Sequence, residues 1–138
     1  MFVIFWKYFM KKVFPFAVPE LPISQAILHD AKYTMEICGV VGIDPETDDL
    51  ALWVEKQTEC IMNEIRYTLA QVGWNMQNIV KVRIFLADLA DFDTVNKIYA
   101  SYFDWDYPTR FALQVAALPL GAAIEIECTA VGDSYEEK

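Results

Sequence analysis

The stretch Asn78-Ile-Val-Lys-Val-Arg-Ile-Phe-Leu-Ala87 decides the fold, because its apolar and cationic side chains alternate. Successive side chains of a β-strand point to opposite faces of the sheet. Every second residue from Val80 to Leu86 is therefore placed on one apolar face, while Lys81 and Arg83 share the other. The stretch predicts a strand with one buried face and one charged face.

An amphipathic helix is predicted on each side of this strand. From about Leu50 to Val72 apolar residues recur at spacings of three, four or seven, and Gly73 ends the pattern. Downstream, Asp91 is expected to cap a second helix, and Pro108 follows that helix. The inner stripe of the second helix is expected to hold Phe92, Val95, Tyr99 and Tyr102.

Three further strands complete the predicted sheet. Residues 33–41, 110–117 and 122–131 are read as strands, and the chain before Tyr33 is expected to add one or two more. The resulting order of strand, helix, strand, helix, strand and strand predicts an α+β sandwich. In it, both helices cover one face of a mixed sheet.

The last two strands carry the residues of chemical interest. Alternation in 110–117 separates Arg110 and Ala112 from the apolar set that begins with Phe111. We expect that apolar set to meet the helices, which places Arg110 and Glu125 together on the helix-free face. That face also holds the two cations of the opening stretch, so it suits a small anionic ligand or a covering subunit. The alternative is a solvated face with scattered ion pairs.

Composition excludes several functional classes. The chain has 138 residues, 55% of them hydrophobic, which is enough for one domain with a buried core. Eleven Lys and Arg against twenty Asp and Glu give a net charge of −9, and this disfavours generic nucleic-acid binding. A catalytic unit built on histidine would need His29, the single histidine. The five glycines form no GxGxxG or GxxxxGK[ST] phosphate loop.

The cysteines favour a reducing compartment. Cys38, Cys60 and Cys128 are far apart, without the close pairing that zinc ligands usually show. An odd and scattered number of cysteines also argues against a disulfide scaffold. We therefore expect a cytoplasmic protein.

The two ends of the chain differ from its middle. Residues 1–9 are aromatic and apolar, and they precede Lys11 and Lys12, whereas a signal peptide has its positive charges before its apolar run. The apolar run is also too short to span a bilayer. They are interpreted as a mis-assigned start with Met10 as the true one, as an extra strand or as a membrane-surface tag, of which the first is favoured. The expected division is an N-terminal extension at 1–18, one domain at 19–132 and an acidic tail at 133–138. We expect that tail to fray.

Many short segments, in the right order, resemble the Rid (YjgF-type) family of reactive-intermediate deaminases. The resemblance runs from about Pro19 to Val131, which is most of the chain. The matching segments are Ser24-Gln-Ala26, Gly42-Ile-Asp-Pro-Glu-Thr47, Ile79-Val-Lys-Val-Arg-Ile-Phe-Leu-Ala-Asp88, Asp91-Phe92, Val95-Asn96 with Tyr99 and Tyr102-Phe103, Tyr107-Pro-Thr-Arg110, Gln114-Val-Ala-Ala-Leu-Pro119 and Ile124-Glu-Ile-Glu-Cys-Thr-Ala-Val131.

The resemblance implies a chorismate-mutase-like α+β fold of the bacillus type. It also implies a homotrimer with a barrel-like centre, whose three active sites lie in clefts between subunits. The activity implied is hydrolysis of enamines and imines such as 2-aminoacrylate to 2-oxo acids and ammonia. Neither a metal nor an organic cofactor is implied, and the partner is a small carboxylate rather than a nucleic acid or a membrane.

Residue by residue, the resemblance assigns the catalytic pair to Arg110 and Glu125. Arg110 would hold the substrate carboxylate, which suits a guanidinium fork. Glu125 would orient or deprotonate the attacking water, or relay a proton to the leaving ammonia. The backbone around Gly39 and Ala112 would help to hold substrate and water. Asn96 matches a family asparagine, and either a substrate contact or a helix-to-strand hydrogen bond would explain it.

The expected pocket departs from the family pattern at its rim. Ile23 stands where a tyrosine is usual, and Ala112 stands where a cysteine is frequent. The usual Ser-Gly-Gln is Cys38-Gly39-Val40 here, so an amide side chain is lost, and Cys38 is either an exposed thiol or, as we favour, a small packed residue. These changes leave the substrate open, and Ile23 favours one with an apolar side chain.

Two other functions compete with deamination. The altered rim is compatible with a protein that binds small carboxylates without catalysis, or with a chaperone-like protein. Endoribonuclease activity and translation inhibition are attached to some members of the family. The charge of −9, the single histidine and the lack of a basic patch weigh against an RNA-directed activity.

Overall fold

The computed structural model describes residues 11–17, 20–104 and 106–137, and the interpretations of residues 1–9 lie outside this part of the chain. Six strands and two α-helices are formed within it, joined by loops and short 3₁₀ turns. In chain order they are β1 (Lys11–Pro15), β2 (Ser24–His29), β3 (Tyr33–Val41), α1 (Val54–Ala70), β4 (Ile79–Leu86), α2 (Phe92–Ala100), β5 (Thr109–Gln114) and β6 (Ile124–Gly132).

The main sheet has the strand order β3-β6-β4-β5 and is mixed. β6 runs antiparallel to both β3 and β4, while β4 and β5 are parallel. The strands expected before Tyr33 are β1 and β2, which form a separate antiparallel pair. This pair is tied to the rest of the domain by Lys11, whose Nζ donates to the Gln77 carbonyl at 2.7 Å, and by Ser24, whose N–H donates to the Pro108 carbonyl at 3.1 Å. The α+β class with a mixed sheet is confirmed.

Both helices pack on one face of the main sheet and bury the core there. The alternation expected for β4 is confirmed, because Val82, Ile84 and Leu86 are buried while Lys81 is exposed. The core residues that meet this strand from β6 and the helices are Ile124, Ile126, Cys128, Ile61, Ile65, Leu69, Val95 and Tyr99. Burying apolar side chains of this size stabilises the fold by about 1.5–3 kcal/mol each.

The boundaries of the helices differ from the expectation for a local reason. α1 begins at Val54 rather than near Leu50, because the Ala51 N–H donates to the Gly42 carbonyl and Trp53 is extended. Asp91 does not cap α2 as expected, since its backbone is already helical and its side chain makes no cap hydrogen bond. Asp88 instead accepts from the Ala90 N–H and caps the 3₁₀ turn that leads into α2.

The acidic C-terminal tail is held against the domain as far as Glu136, so the expected fraying is wrong there. The Trp74 indole N–H donates to the Ser134 carbonyl at 2.8 Å, and the Glu136 N–H donates to the Val72 carbonyl at 3.1 Å. The Tyr135 ring meets Tyr33 edge-on at 5.0 Å. A charge-based interpretation of the tail overlooked these aromatic and backbone contacts.

Gly42→Ala is expected to destabilise the protein by about 2–3 kcal/mol, because overpacking a tight contact displaces backbone. A Cβ at Gly42 would lie 2.4 Å from the Gln57 Cα and 2.5 Å from the Gln57 carbonyl oxygen, both backbone atoms of α1. Urea unfolding measures the change. Gly121→Asn is the control, because that position has open space and asparagine tolerates its positive φ. Equal stability of Gly42→Ala and the wild type would contradict this packing.

Candidate functional site

The side chain of Arg110 lies on the helix-covered face of the sheet, which corrects the expectation for β5. Arg110 pairs in parallel register with Val82, and neighbours in register share a face. Because Val82 faces the helices, Arg110 does too, and Ala112 follows it beside Ile84. Phe111 therefore lies on the opposite face. Alternation within β5 fixes which residues share a face, but only the register with β4 fixes which face they share.

The guanidinium of Arg110 rests on neutral groups of α2. Its Nη2 donates to the Asn96 Oδ1 at 2.7 Å, and its Cζ lies 4.9 Å from the Tyr99 ring centroid and 5.8 Å from that of Phe92. Among the described residues, no carboxylate forms an ion pair with Arg110, and its buried Nε and Nη1 have no hydrogen-bond partner. Burial lowers the pKa of Arg110, but an arginine remains charged at neutral pH. The site therefore offers a cation without a counter-ion.

Asn96 orients this cation. It is 9% exposed on α2, and its side-chain oxygen accepts the hydrogen bond from Arg110. Of the two explanations offered for Asn96, the helix-to-strand hydrogen bond is the one observed. The amide thereby limits rotation of the guanidinium without neutralising its charge.

Glu125 lies on the other face of the sheet, beside an irregularity in the pairing of β3 with β6. The register shifts between Ile37 and Val40, so that Cys38 and Gly39 fall within the irregularity. A Cβ at Gly39 would lie 2.3 Å from the Glu125 Oε1, which means that the carboxylate sits directly over the Gly39 backbone. Gly39 and Glu125 are therefore brought together as one unit.

The cations of the helix-free face are not partners of Glu125. Arg83 forms an ion pair with Glu127, and its Nη2 also lies 4.0 Å from a carboxylate oxygen of Glu36. Within the described part of the chain, the Glu125 carboxylate has neither an ion-pair nor a hydrogen-bond partner. The expected use of Arg83 as a ligand-binding cation is thus opposed by its own carboxylate neighbours.

The three cysteines differ in exposure. Cys38 is exposed, so the packed interpretation that we favoured for it is wrong, and the bulge that carries it is the reason. Cys60 and Cys128 are buried as expected. Burial raises the pKa of the Cys128 thiol to about 12, so this thiol stays protonated at neutral pH.

Ile23 lies beside the strand that carries Arg110. The adjacent Ser24 is buried and binds the Pro108 carbonyl, two residues before Arg110. A cavity of about 230 Å³ opens at Ile23. It is lined by Phe16, Glu20, Leu21 and Ile23.

Arg110 and Glu125 do not converge within one copy of the chain. Glu125 pairs with Phe85, three positions along β4 from the Val82 that pairs with Arg110. An odd number of positions places the two side chains on opposite faces, and standard sheet spacings put their Cα atoms about 14 Å apart. A reaction that uses both residues therefore requires a second copy.

Sequence reasoning missed the contribution of Tyr99 and Phe92 to the site. Both belong to the inner stripe of α2 and to the segments that resemble the Rid family, but neither pattern assigns them a partner. They lie three and four residues from Asn96, so they share its helix face. That spacing was the available signal.

Residues 11–17, 20–104 and 106–137 contain neither a metal-binding cluster nor a membrane-spanning helix. No group of three His, Cys, Asp or Glu side chains in these ranges is arranged to hold a metal ion. None of the helices described there has the length and hydropathy that a bilayer crossing needs.

The fold and the site define a small α+β domain with a buried guanidinium that has no counter-ion among the described residues. The family model described as Endoribonuclease L-PSP matches residues 17–132. The chain belongs to this family, which is also the Rid/YjgF family. Its membership confirms the chorismate-mutase-like fold that the resemblance implied.

Individual relatives agree with this assignment. A protein of Leuconostoc mesenteroides subsp. cremoris named "RutC family protein in leuC 5'region" is 46% identical over 115 residues, covering 80% of this chain and 87% of that protein. The Homo sapiens "2-iminobutanoate/2-iminopropanoate deaminase" is 41% identical over 111 residues, covering 80% of each chain. The crystal structure of RidA from Psychrobacter sp. PAMC 21119 is 33% identical with a TM-score of 0.70, covering 89% of this chain and 97% of that one.

Proposed function

We propose that this protein is an enzyme that hydrolyses enamine and imine intermediates such as 2-aminoacrylate to 2-oxo acids and ammonia. The observation that carries the proposal is the cation of Arg110, which is held by an amide and two rings and has no carboxylate partner among the described residues. The name of the human relative, a 2-iminobutanoate/2-iminopropanoate deaminase, supports the same reaction.

Arg110 is proposed to bind the substrate carboxylate. A guanidinium donates two parallel hydrogen bonds to a carboxylate, and such charge-assisted bonds are about twice as strong as neutral ones. Asn96 engages only Nη2, which leaves Nε and Nη1 without acceptors. The carboxylate would accept from the second Nη2 hydrogen and from one neighbouring nitrogen, Nε or Nη1, and would thereby fix the position of the adjacent imine carbon.

Glu125 is proposed to manage the water and the protons. Water adds to the electrophilic carbon of the C=N bond, and Glu125 accepts the proton that the water releases. Glu125 passes that proton to the nitrogen, which gives a carbinolamine. The proton of the new hydroxyl group is then transferred to the same nitrogen, so that the C=O bond forms as the C–N bond breaks and the products are a 2-oxo acid and ammonia. Positioning supplies most of the catalysis, because the imine carbon is already reactive.

The active site is proposed to form between subunits of a homotrimer in the cytoplasm. The opposite faces of Arg110 and Glu125 support a site that two copies share. The helix-free face also offers apolar surface to another copy, since Phe111 and Leu113 are each 40% exposed there. The Phe111 ring meets Phe85 edge-on at 6.1 Å on the same face.

The direct test is to generate 2-aminoacrylate enzymatically and to follow the release of pyruvate with and without the protein. We expect the wild type to accelerate release above the spontaneous rate. Binding of a 2-oxo acid without any acceleration would contradict deamination and would favour the carboxylate-binding alternative.

Ile23→Tyr is expected to shift substrate preference toward small side chains by about tenfold in kcat/KM ratio, because filling an apolar pocket changes binding by about 1–3 kcal/mol. The change restores the residue usual in the family and places a larger side chain at the cavity of about 230 Å³ that Ile23 lines. The measurement compares 2-aminoacrylate with the imine of a branched 2-oxo acid. Leu28→Tyr, on an exposed position of β2, is the control. An unchanged ratio of the two kcat/KM values in Ile23→Tyr would show that this cavity is not part of the substrate site.

Gly39→Ala is expected to lower kcat about tenfold to a hundredfold, because the new methyl group displaces the Glu125 carboxylate and small misplacements are costly in catalysis. The atom it meets is the tip of a flexible side chain, so the free energy of unfolding should change little. Kinetics and urea unfolding of the same preparation measure both. Full activity of Gly39→Ala would show that the position of Glu125 is unimportant.

A further inference from the structure

One face of α2 supplies the hydrogen-bond acceptor and the two aromatic rings that the Arg110 guanidinium contacts. Phe92, Asn96 and Tyr99 follow each other at spacings of four and three residues, so they lie on one side of the helix. Asn96 contributes one hydrogen bond, and the other two contribute ring faces at 5.8 and 4.9 Å. The helix therefore acts as a support on which the end of the side chain rests.

Aromatic rings hold a cation in a way that a carboxylate would not. A ring face attracts a guanidinium electrostatically, and it does so more strongly when water is excluded. A ring does not neutralise the cation and does not occupy its in-plane N–H donors. A carboxylate in the same place would do both and would compete with an anionic ligand.

Tyr99 is the more important of the two rings. It is fully buried at 0% exposure, and its ring centroid lies closer to the guanidinium than that of the half-buried Phe92. The Tyr99 hydroxyl has no hydrogen-bond partner among the described residues. Its ring, rather than its hydroxyl, thus accounts for its contact with Arg110.

We propose that Tyr99, assisted by Phe92, is a positioning residue for Arg110. Its ring holds the guanidinium at the edge of the sheet in the orientation that a carboxylate ligand requires, and it leaves the charge free for that ligand. This inference rests on the proposed function, in which Arg110 binds the substrate carboxylate. It adds a residue that acts only through Arg110.

The test compares Tyr99→Leu, Tyr99→Phe and Phe103→Leu. Phe103 is a matched control, because it is buried and its ring lies 4.9 Å from that of Tyr99, while Arg110 stacks on Tyr99 and Phe92. Calorimetry with 2-oxobutanoate gives the Kd, steady-state kinetics give KM and kcat separately, and urea unfolding gives stability. Phe92→Leu, at a half-buried position, is a second variant that does not depend on the tolerance of the deep core.

We expect Tyr99→Leu to raise Kd and KM about tenfold, and Phe92→Leu to raise them less, because each removes one ring from the cation. Tyr99→Phe should bind within about twofold of the wild type, and Phe103→Leu should lose stability without losing affinity. Equal affinities of Tyr99→Leu and Phe103→Leu would overturn the proposal. An affinity of Tyr99→Phe as low as that of Tyr99→Leu would also overturn the proposal, because it would assign the effect to the hydroxyl group.

Calorimetry separates this inference from the proposed reaction. A wild type that binds 2-oxobutanoate but does not accelerate imine hydrolysis contradicts the reaction, and the affinities of the four variants still decide the role of Tyr99. A wild type that binds no 2-oxo acid overturns both.

Discussion

Arg110→Ala is expected to lower kcat/KM for imine hydrolysis by about a hundredfold or more, because losing one partner of a close charge pair costs about 2–5 kcal/mol. The substrate carboxylate would lose the cation that the structure supports with Asn96 and two rings. Release of pyruvate from enzymatically generated 2-aminoacrylate measures the loss. Calorimetry should show a parallel loss of 2-oxobutanoate binding.

The stability of Arg110→Ala distinguishes a functional cation from a structural one. Two buried nitrogens of Arg110, Nε and Nη1, have no hydrogen-bond partner among the described residues, and each such polar group costs about 1–3 kcal/mol of folding free energy. We therefore expect the free energy of unfolding to stay level or to rise. Arg66→Ala is the matched control, since Arg66 is an exposed arginine of α1 that also lies over a ring, that of Tyr102. Activity of Arg110→Ala within threefold of Arg66→Ala would remove Arg110 from the site.

Glu125→Gln is expected to lower kcat by about a hundredfold to ten-thousandfold, which is the range that general acid–base catalysis supplies. The amide keeps the size of the side chain over Gly39 but cannot accept a proton from water. Affinity for 2-oxobutanoate should change little, because Arg110 carries the binding. The expected signature is therefore a loss in kcat with a nearly constant Kd.

Glu127→Gln is the matched control for Glu125→Gln. Glu127 lies on the same strand and the same face, but it is paired with Arg83. Its change should leave kcat near that of the wild type. Equal losses in the two variants would mean that the charge of this face, rather than Glu125 itself, affects the rate.

The sequence predicts the helices and the strands of the main sheet, but it does not predict which face of the sheet Arg110 occupies. The alternation in β4 and the periodicity of α1 are strong local patterns, and the structure places both as expected. β5 carries a weaker pattern, because Arg110 and Phe111 each suit a half-covered edge strand. Its face depends on the register with β4, which is a tertiary property.

For the candidate site, too, the sequence identifies the residues, whereas their contacts depend on the tertiary structure. The resemblance to the Rid family marked Arg110 and Glu125, and the structure gives each an environment compatible with its proposed role. That the guanidinium of Arg110 rests on Tyr99 was not predicted, since a buried tyrosine in a helix stripe is most simply read as core. Cys38 is exposed because it lies in an irregularity of the pairing between β3 and β6, and the sequence around Cys38 does not predict that irregularity.

In the proposed enzyme, Arg110 and Glu125 act on one substrate from two different copies of the chain. The two residues lie on opposite faces of the sheet in one copy. In a closed ring of three identical subunits, each site would take Arg110 from one copy and Glu125 from a neighbour. A site shared in this way predicts that two inactive variants can restore each other.

The most direct measurement is the activity of mixed oligomers of Arg110→Ala and Glu125→Gln. The two variants are co-expressed with different affinity tags, and oligomers that carry both tags are purified. In every mixed trimer one of the three sites would combine an intact Arg110 with an intact Glu125, so we expect about one third of wild-type activity. Activity no greater than that of the two variants purified separately would contradict a site shared between subunits.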